Sequence, residues 1–297
     1  MNRSFSYKVY LPTLCEYMEF KELSNHLYID IIKTIANNDD VKLMELYEHA
    51  ILELNIDKRY KSSEISKIDK FCILLNIYIL CVSNVMELKH PGSTAGVGKL
   101  KIDLYDVLDQ VTNFDFVYND EVIINKHLSV NLGVPVELYM ATAENIVISS
   151  IKQLNVAGKK FNFNEYTYEQ RHQALDEISA DVSTKIIDSM KVKNNEYQLS
   201  VLKYGDKPDQ QIKINLYNNS MFELLKIIYN TSLEGQYYYR YFGSKHVGLS
   251  SEYIESITPA ELQAYMKFYQ REQDEIKKQR DKAMKKTGGT HLGTPIQ

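Results

Sequence analysis

The chain has 297 residues, 44% of them hydrophobic and 25% charged, with a formal net charge of -4. That balance supports a buried core in one large domain or two to three small ones, and it excludes wholesale disorder. It also excludes a global basic field that would draw the whole protein onto nucleic acid or anionic lipid.

Residues 5–14 (FSYKVYLPTL) read as a short strand or an extended arm ending at Pro12. A helix is expected from about Glu19 to Ala36, with Leu23, Leu27, Ile31, Ile32 and Ile35 at spacings of three and four. Asn37 to Asp40 makes a turn and a new N-cap, and Val41 to Leu54 forms a second amphipathic helix. A third helix is expected over Ile65 to Val85. Its apolar positions wrap almost all round, which places it at the centre of an N-terminal helical unit. Its longest apolar run, Phe71 to Val82, is broken by Asn76 and falls short of the ~20 residues that span a bilayer.

Helical character stops at His90-Pro91-Gly92, and a Gly-rich loop follows to Lys99. Strand signals then take over in Lys101 to Leu104, Glu121 to Leu132 and Lys160 to Asn164, so the middle is a small, mostly antiparallel sheet. Ala141 to Leu154 suits either helix or strand. Thr167 and Gln170 make a capping box for a helix to about Met190. Gly205 and Pro208 mark a hairpin within 197–216. Helices resume over Met221 to Tyr229 and Leu233 to His246, with Gly248 as a stop. Thr258-Pro259-Ala260-Glu261 supplies an N-cap, Pro at N1 and Glu at N3, and opens a helix through Arg280 or beyond. The expected organisation is an arm and helical unit over 1–90, a β-rich unit over 91–165 and a C-terminal helical unit over 166–286. A flexible tail over 287–297 completes it. The fold class is α+β.

Residues that could carry chemistry are sparse. Pro91 to Lys99 resembles a phosphate-binding loop only loosely. Ser93 stands where the first Gly belongs, and Leu100 replaces the magnesium-binding hydroxyl. A helix before it and a strand after it reverse the usual flanks, and a solvated loop is the better reading. Seven scattered histidines form no H-x-x-x-H or Cys-His set, so no metal or other cofactor is expected. Asp103, Asp106 and Asp109 are spaced in threes across a strand and turn and read as solvated carboxylates. Cys15, Cys72 and Cys81 form no C-x-x-C pair; with no signal peptide visible, they point to a reducing cytosol. No catalytic residue is assigned, and the chain is read as not an enzyme.

Tyrosine stands out, with 23 Tyr and no Trp. Drift toward AT-rich codons would produce this, but Tyr is also a stiff, amphipathic contact enriched at interfaces. The run Tyr237 to Phe242 must point rings all round a helix. Packing between the C-terminal helices is expected to claim Tyr238, Tyr241 and Phe242 at least in part. The partner-surface candidates are Tyr237, Tyr239, Arg240 and Tyr241, with Phe5, Tyr7 and Tyr10 in the N-terminal arm. Lys277, Lys278, Arg280, Lys282, Lys285 and Lys286 form a local basic cluster interleaved with Asp274, Glu275 and Asp281. A solvated helix end suits the macrodipole there, and contact with nucleic acid or an acidic partner is the other reading.

Four stretches carry a family likeness: VYLPTLCEYMEFKELSNHLYIDIIKTI (Val9 to Ile35), SEISKIDKFCILLNIYILCVS (Ser63 to Ser83), KIDLYDVL (Lys101 to Leu108) with HLSVNLGVP (His127 to Pro135), and Met221 to Glu272. Their order resembles the baseplate hub and hub-assembly proteins of T4-like contractile-tailed phages. The resemblance covers about half the chain through diffuse helical patterns. It implies a non-enzymatic hub subunit of the virion baseplate, or a chaperone for hub assembly in the host cytoplasm. Its partners would be other baseplate or hub proteins, in homo- or hetero-oligomers. The alternative class is a nucleic-acid-associated phage regulator using the basic C-terminal helix.

Overall fold

Val9 and Leu11 alternate with Lys8 and Tyr10, and Met18 and Phe20 alternate with Tyr17 and Glu19, so two segments of period two lie close in sequence. In the computed structural model they pair as an antiparallel hairpin, β1 (Ser6–Leu11) and β2 (Glu16–Lys21), with Val9 opposite Met18. The structure describes residues 5–89, 99–114, 116, 120–176, 180–196, 198–203, 211–216 and 218–287. Val9, Leu11, Met18 and Phe20 all face inward and are buried. Residues 5–14 are thus a paired strand and turn, not a free arm. The helix expected from Glu19 starts at Asn25, because Glu16 to Lys21 pairs with β1 and Ser24 is the N-cap.

Three helices follow, each opened by a side chain that accepts a backbone N–H. They are α1 (Asn25–Ala36, cap Ser24), α2 (Asp40–Leu54, cap Asp39) and α3 (Lys67–Cys81, cap Ser66). Phe71, Cys72, Ile73, Leu74 and Leu75 in α3 are all buried, so this helix is the central one. Asp69 ties it to the hairpin turn. One of its carboxylate oxygens accepts the Thr13 N–H at 3.0 Å, and the other accepts the Ser66 hydroxyl at 2.8 Å and the Thr13 hydroxyl.

A second hairpin, β3 (Val85–Lys89) with β4 (Lys99–Asp103), leads into α4 (Leu104–Thr112). The aspartate triplet therefore sits on an N-cap and a helix rather than a strand and turn: Asp103 accepts the Tyr105 N–H, and Asp106 and Asp109 are exposed. The phosphate-loop-like segment lies outside the described residues up to Gly98. The middle of the chain forms a four-stranded antiparallel sheet in the order β5 (Asp120–Asn125), β6 (Leu128–Leu132), β7 (Ile151–Val156), β8 (Lys159–Asn162). Between β6 and β7 runs α5 (Ala143–Ser150), so the ambiguous stretch is helix and then strand. Next come α6 (Tyr168–Asp176) and α7 (Ala180–Glu196), within the stretch expected to be helical to about Met190, of which 177–179 lie outside the described residues. The Thr167–Gln170 capping box forms in both directions, at 2.9 and 3.3 Å. Val130, Ile148, Ile151, Phe163, Val182 and Ile186 close a core between this sheet and its helices.

The hairpin expected within 197–216 is β9 (Gln198–Lys203) with β10 (Gln211–Asn215), and α8 (Ser220–Tyr229) follows it. This helix inserts into the largest core, which draws on residues from Val9 to Leu138 and then from Leu199 to Tyr229. That core takes side chains from all three of the spans expected to be separate. Tyr229 is fully buried, its ring within 5.0 to 6.2 Å of those of Tyr28, Tyr47 and Tyr78, and it donates to the Leu74 carbonyl at 2.8 Å. The remaining elements are α9 (Leu233–Phe242), a π-helical turn (Gly243–Val247), α10 (Ser251–Ser256) and α11 (Pro259–Thr287). The fold is α+β, with small antiparallel sheets and helices at both ends.

Candidate partner interface

The C-terminal helices hang on the body through α1. The Asn25 N–H donates to the Ile257 carbonyl at 2.8 Å, and the Asn25 amide donates to the Ile254 carbonyl at 3.3 Å. Ile254, Ile257 and Leu262 make a small core of their own, with Tyr239, Leu249 and Tyr265 packed against it. Thr258 and Glu261 exchange the expected capping-box hydrogen bonds at 3.2 and 3.1 Å, which fixes the start of α11.

Ser232 caps α9 by accepting the Gly235 N–H at 3.1 Å. At its other end the helix widens into the π turn, and Gly248 closes that turn at φ 81, a left-handed conformation that favours glycine. Gly243 is buried at the start of the turn; a Cβ there would lie 3.1 Å from a Leu262 methyl and 3.4 Å from an Ile254 methyl, so the small core packs directly onto the glycine. The widened turn places His246 against the rings of Phe242 (4.8 Å) and Tyr269 (6.0 Å). Tyr238 reaches Phe242 at 6.0 Å, and Tyr241 reaches His246 at 6.5 Å. Five rings thus run in contact from α9 across the π turn to α11, and Lys245 lies 5.0 Å over the Tyr241 ring. Tyr238 and Tyr241 are 55% and 54% exposed, and Phe268 beside Tyr269 is 61% exposed. A contiguous aromatic surface of this kind suits a protein partner.

The candidates named from sequence divide sharply. Tyr237 and Tyr241 are exposed. Tyr239 packs against the Ile254–Leu262 core, and Arg240 is held in an ion pair with Glu255. Tyr238 and Tyr241, both expected in packing between helices, are instead open, while Phe242 is half-buried. The sequence reading missed His246 and Tyr269; the signal it lacked was the π turn, which shifts the helical register. At the other terminus Phe5 is exposed, and Tyr10 stacks on Tyr17 at 5.1 Å. Tyr7 turns onto the large core, where burial and the neighbouring Cys81 thiol push its hydroxyl pKa upward. Among the described residues no ring contact joins these three to the α9 group.

Elsewhere among the described residues, titratable side chains gather most in an open cleft of about 530 Å³ between α1 and α2, lined by Asp30, Lys33, Lys42, Glu45 and His49, where Asp30 is paired with Lys33 at 3.2 Å. An apolar groove of about 490 Å³ between β3, β10, α5 and α8 is lined by Met86, Leu88, Ile146, Ile214 and Ile227, and Glu223 is the one titratable residue among the described residues that line it. A narrower crevice of about 310 Å³ carries Glu64 and Lys152, but the Thr13 and Ser66 hydroxyls in it are committed to Asp69. Lys67 is fully buried at the junction of three segments. Its N–H donates to the Pro135 carbonyl and its amine to the Asn218 carbonyl, at 2.8 and 2.7 Å. Burial pulls the amine pKa down to about 7, partly offset by the nearby Glu137 carboxylate. Among the described residues no three His, Cys, Asp or Glu side chains gather where a metal ion could be held. No described helix is long and apolar enough to cross a membrane.

Comparison with protein families, with curated proteins and with solved structures gives no match for this chain.

Proposed function

We propose that this protein is a non-enzymatic structural or assembly component of a phage tail baseplate, a hub subunit or a chaperone for the hub, that works through protein–protein contacts. The observation that carries the reading is the exposed ring surface on α9, the π turn and α11. It is built on helices fixed to the body, and it presents Tyr238 and Tyr241 with little else to bury them. Rigid aromatic anchors of this type dominate binding energy at interfaces. The order of helical and strand segments, similar to that of hub-assembly proteins, supports the same reading. Action in the host cytoplasm during assembly, with a place in the virion for a hub subunit, follows from it as a proposal.

Tyr238→Ala with Tyr241→Ala tests the surface without touching the small core. The double variant is expected to keep its melting profile and to lose at least tenfold in affinity for its baseplate partner, measured by co-purification from infected cells and then by titration. Unchanged affinity removes this surface from the assignment. Mass spectrometry of purified virions beside lysate separates the two roles. A fixed copy number in the particle means a subunit, and presence in lysate alone means a chaperone.

A further inference from the structure

The ring surface occupies only the first part of α11. From Gln270 to Met284 every residue is exposed except Ile276, which is half-buried. At about 1.5 Å per residue, the stretch from Gln270 to Thr287 extends roughly 27 Å beyond the last packed ring. Two features of this arm decide what it can hold. The first is that its charged side chains form no close ion pairs with one another among the described residues. Asp274 and Lys278, and Lys277 and Asp281, are spaced to pair along the helix, yet none of the charged side chains from Lys267 to Lys282 forms an ion pair among the described residues. The second is composition. Residues 277–286 carry six cations against one carboxylate, while the whole chain carries a net -4. The excess positive charge is therefore concentrated on one projecting helix and set off from an acidic body.

A helix that docks in a protein groove does so by apolar anchors at i, i+3, i+4 and i+7. Between Gln270 and Lys282 the arm has a single apolar side chain, Ile276, which is too few for that mode. What it offers is Arg271, Lys278 and Lys282 along one face, which Glu275 shares, Lys277 and Arg280 flanking the other, and Gln270, Gln273 and Gln279 between them. Long cationic side chains on a bare helix match a polyanion whose charges repeat along a line, and glutamine adds hydrogen bonding without cost to solubility. We infer that the distal half of α11 binds the phosphate backbone of double-stranded nucleic acid. The contact is electrostatic and independent of base sequence, and it does not depend on the baseplate reading.

The test uses the full chain and a mixed-sequence 30-base-pair DNA duplex, followed by fluorescence anisotropy from 50 to 200 mM NaCl. Neutralising about four phosphates gives a logarithmic salt slope of about -3.6, so affinity should fall on the order of 100-fold across that range. The variant Lys277→Gln/Lys278→Gln/Arg280→Gln/Lys282→Gln changes only exposed side chains and should lose most of the binding and most of the slope. A control, Lys42→Gln/Lys58→Gln/Lys159→Gln/Lys160→Gln, makes the same change in net charge on the exposed surface of the body and should bind as the parent does. No measurable binding at 50 mM NaCl overturns the inference, as does an equal loss in both variants. Tighter binding to polyglutamate than to the duplex also overturns it and assigns the arm to an acidic protein.

Discussion

The two ends of one helical region, α8 and the distal half of α11, are built on opposite physics. In α8 the faces of Met221, Phe222, Leu225, Ile228 and Tyr229 are all buried, and the helix is held by core packing, by the Tyr229 hydrogen bond and by Lys226, whose amine meets Asp40 at 2.6 Å. In α11 from Gln270 to Met284 every side chain but the half-buried Ile276 meets solvent, and no ion pair among the described residues stiffens the arm. The first helix belongs to the fold and the second is carried by it. Substitution on the arm should therefore cost little stability, and substitution in α8 much.

That contrast can be broken in three ways. Tyr229→Ala removes a fully buried ring and its hydrogen bond, and should cost about 3–5 kcal/mol in denaturant unfolding. A loss below 1 kcal/mol would mean that α8 is not integral to the large core. Lys67→Met acts more subtly, through pH. The folded amine has a pKa near 7 and the unfolded amine its ordinary value near 10.4, so between them the unfolded chain binds a proton that the folded chain does not. Stability of the parent should therefore rise from pH 7 to pH 8, by about 1 kcal/mol, before the unfolded Cys72 and Cys81 thiols, which burial holds protonated in the fold, begin to ionise. The variant should show a flatter curve, read from urea midpoints at each pH; an unchanged slope would place the charge elsewhere. Ile276→Ala, in the arm, should shift stability by less than about 0.5 kcal/mol, as surface changes do. A shift near 2 kcal/mol would show that the arm packs against something in solution, and sedimentation would identify a second copy.

Much of this fold was legible. The Thr258–Glu261 and Thr167–Gln170 boxes use local geometry that no tertiary context needs to supply, and both form. The all-round apolar pattern of α3 correctly marked a central helix, in which only Leu80 is exposed. Sequence failed where the deciding partner was remote. EYMEFK suits helix and strand alike, and only pairing with Ser6 to Leu11 makes it β2; the turn between them lacks Gly and instead puts Cys15 at φ 53. KIDLYDVLDQV begins as an alternating run, and nothing local says that Asp103 ends a strand by capping a helix. The ring surface was half legible. The tyrosine run pointed to α9, but which rings face outward depends on the π turn and on Glu255 claiming Arg240, and neither is visible from spacing. The arm was visible as a basic cluster, yet only the structure shows that from Lys267 to Lys282 its charged side chains form no ion pair among the described residues.

The insertion of α8 into the first core also bears on how the chain is made. Leu138 closes the N-terminal contribution to that core, and Tyr229 enters it about ninety residues later. At translation speeds of roughly 5–20 residues per second, the pocket around Tyr28, Tyr47 and Tyr78 stays open on the ribosome for on the order of 5–20 s. During that interval the hairpin, α1, α2 and α3 expose an apolar surface that only a later part of the same molecule can fill. Folding of this protein is therefore a wait as well as a collapse, and a holdase that covers the pocket during synthesis would raise its yield.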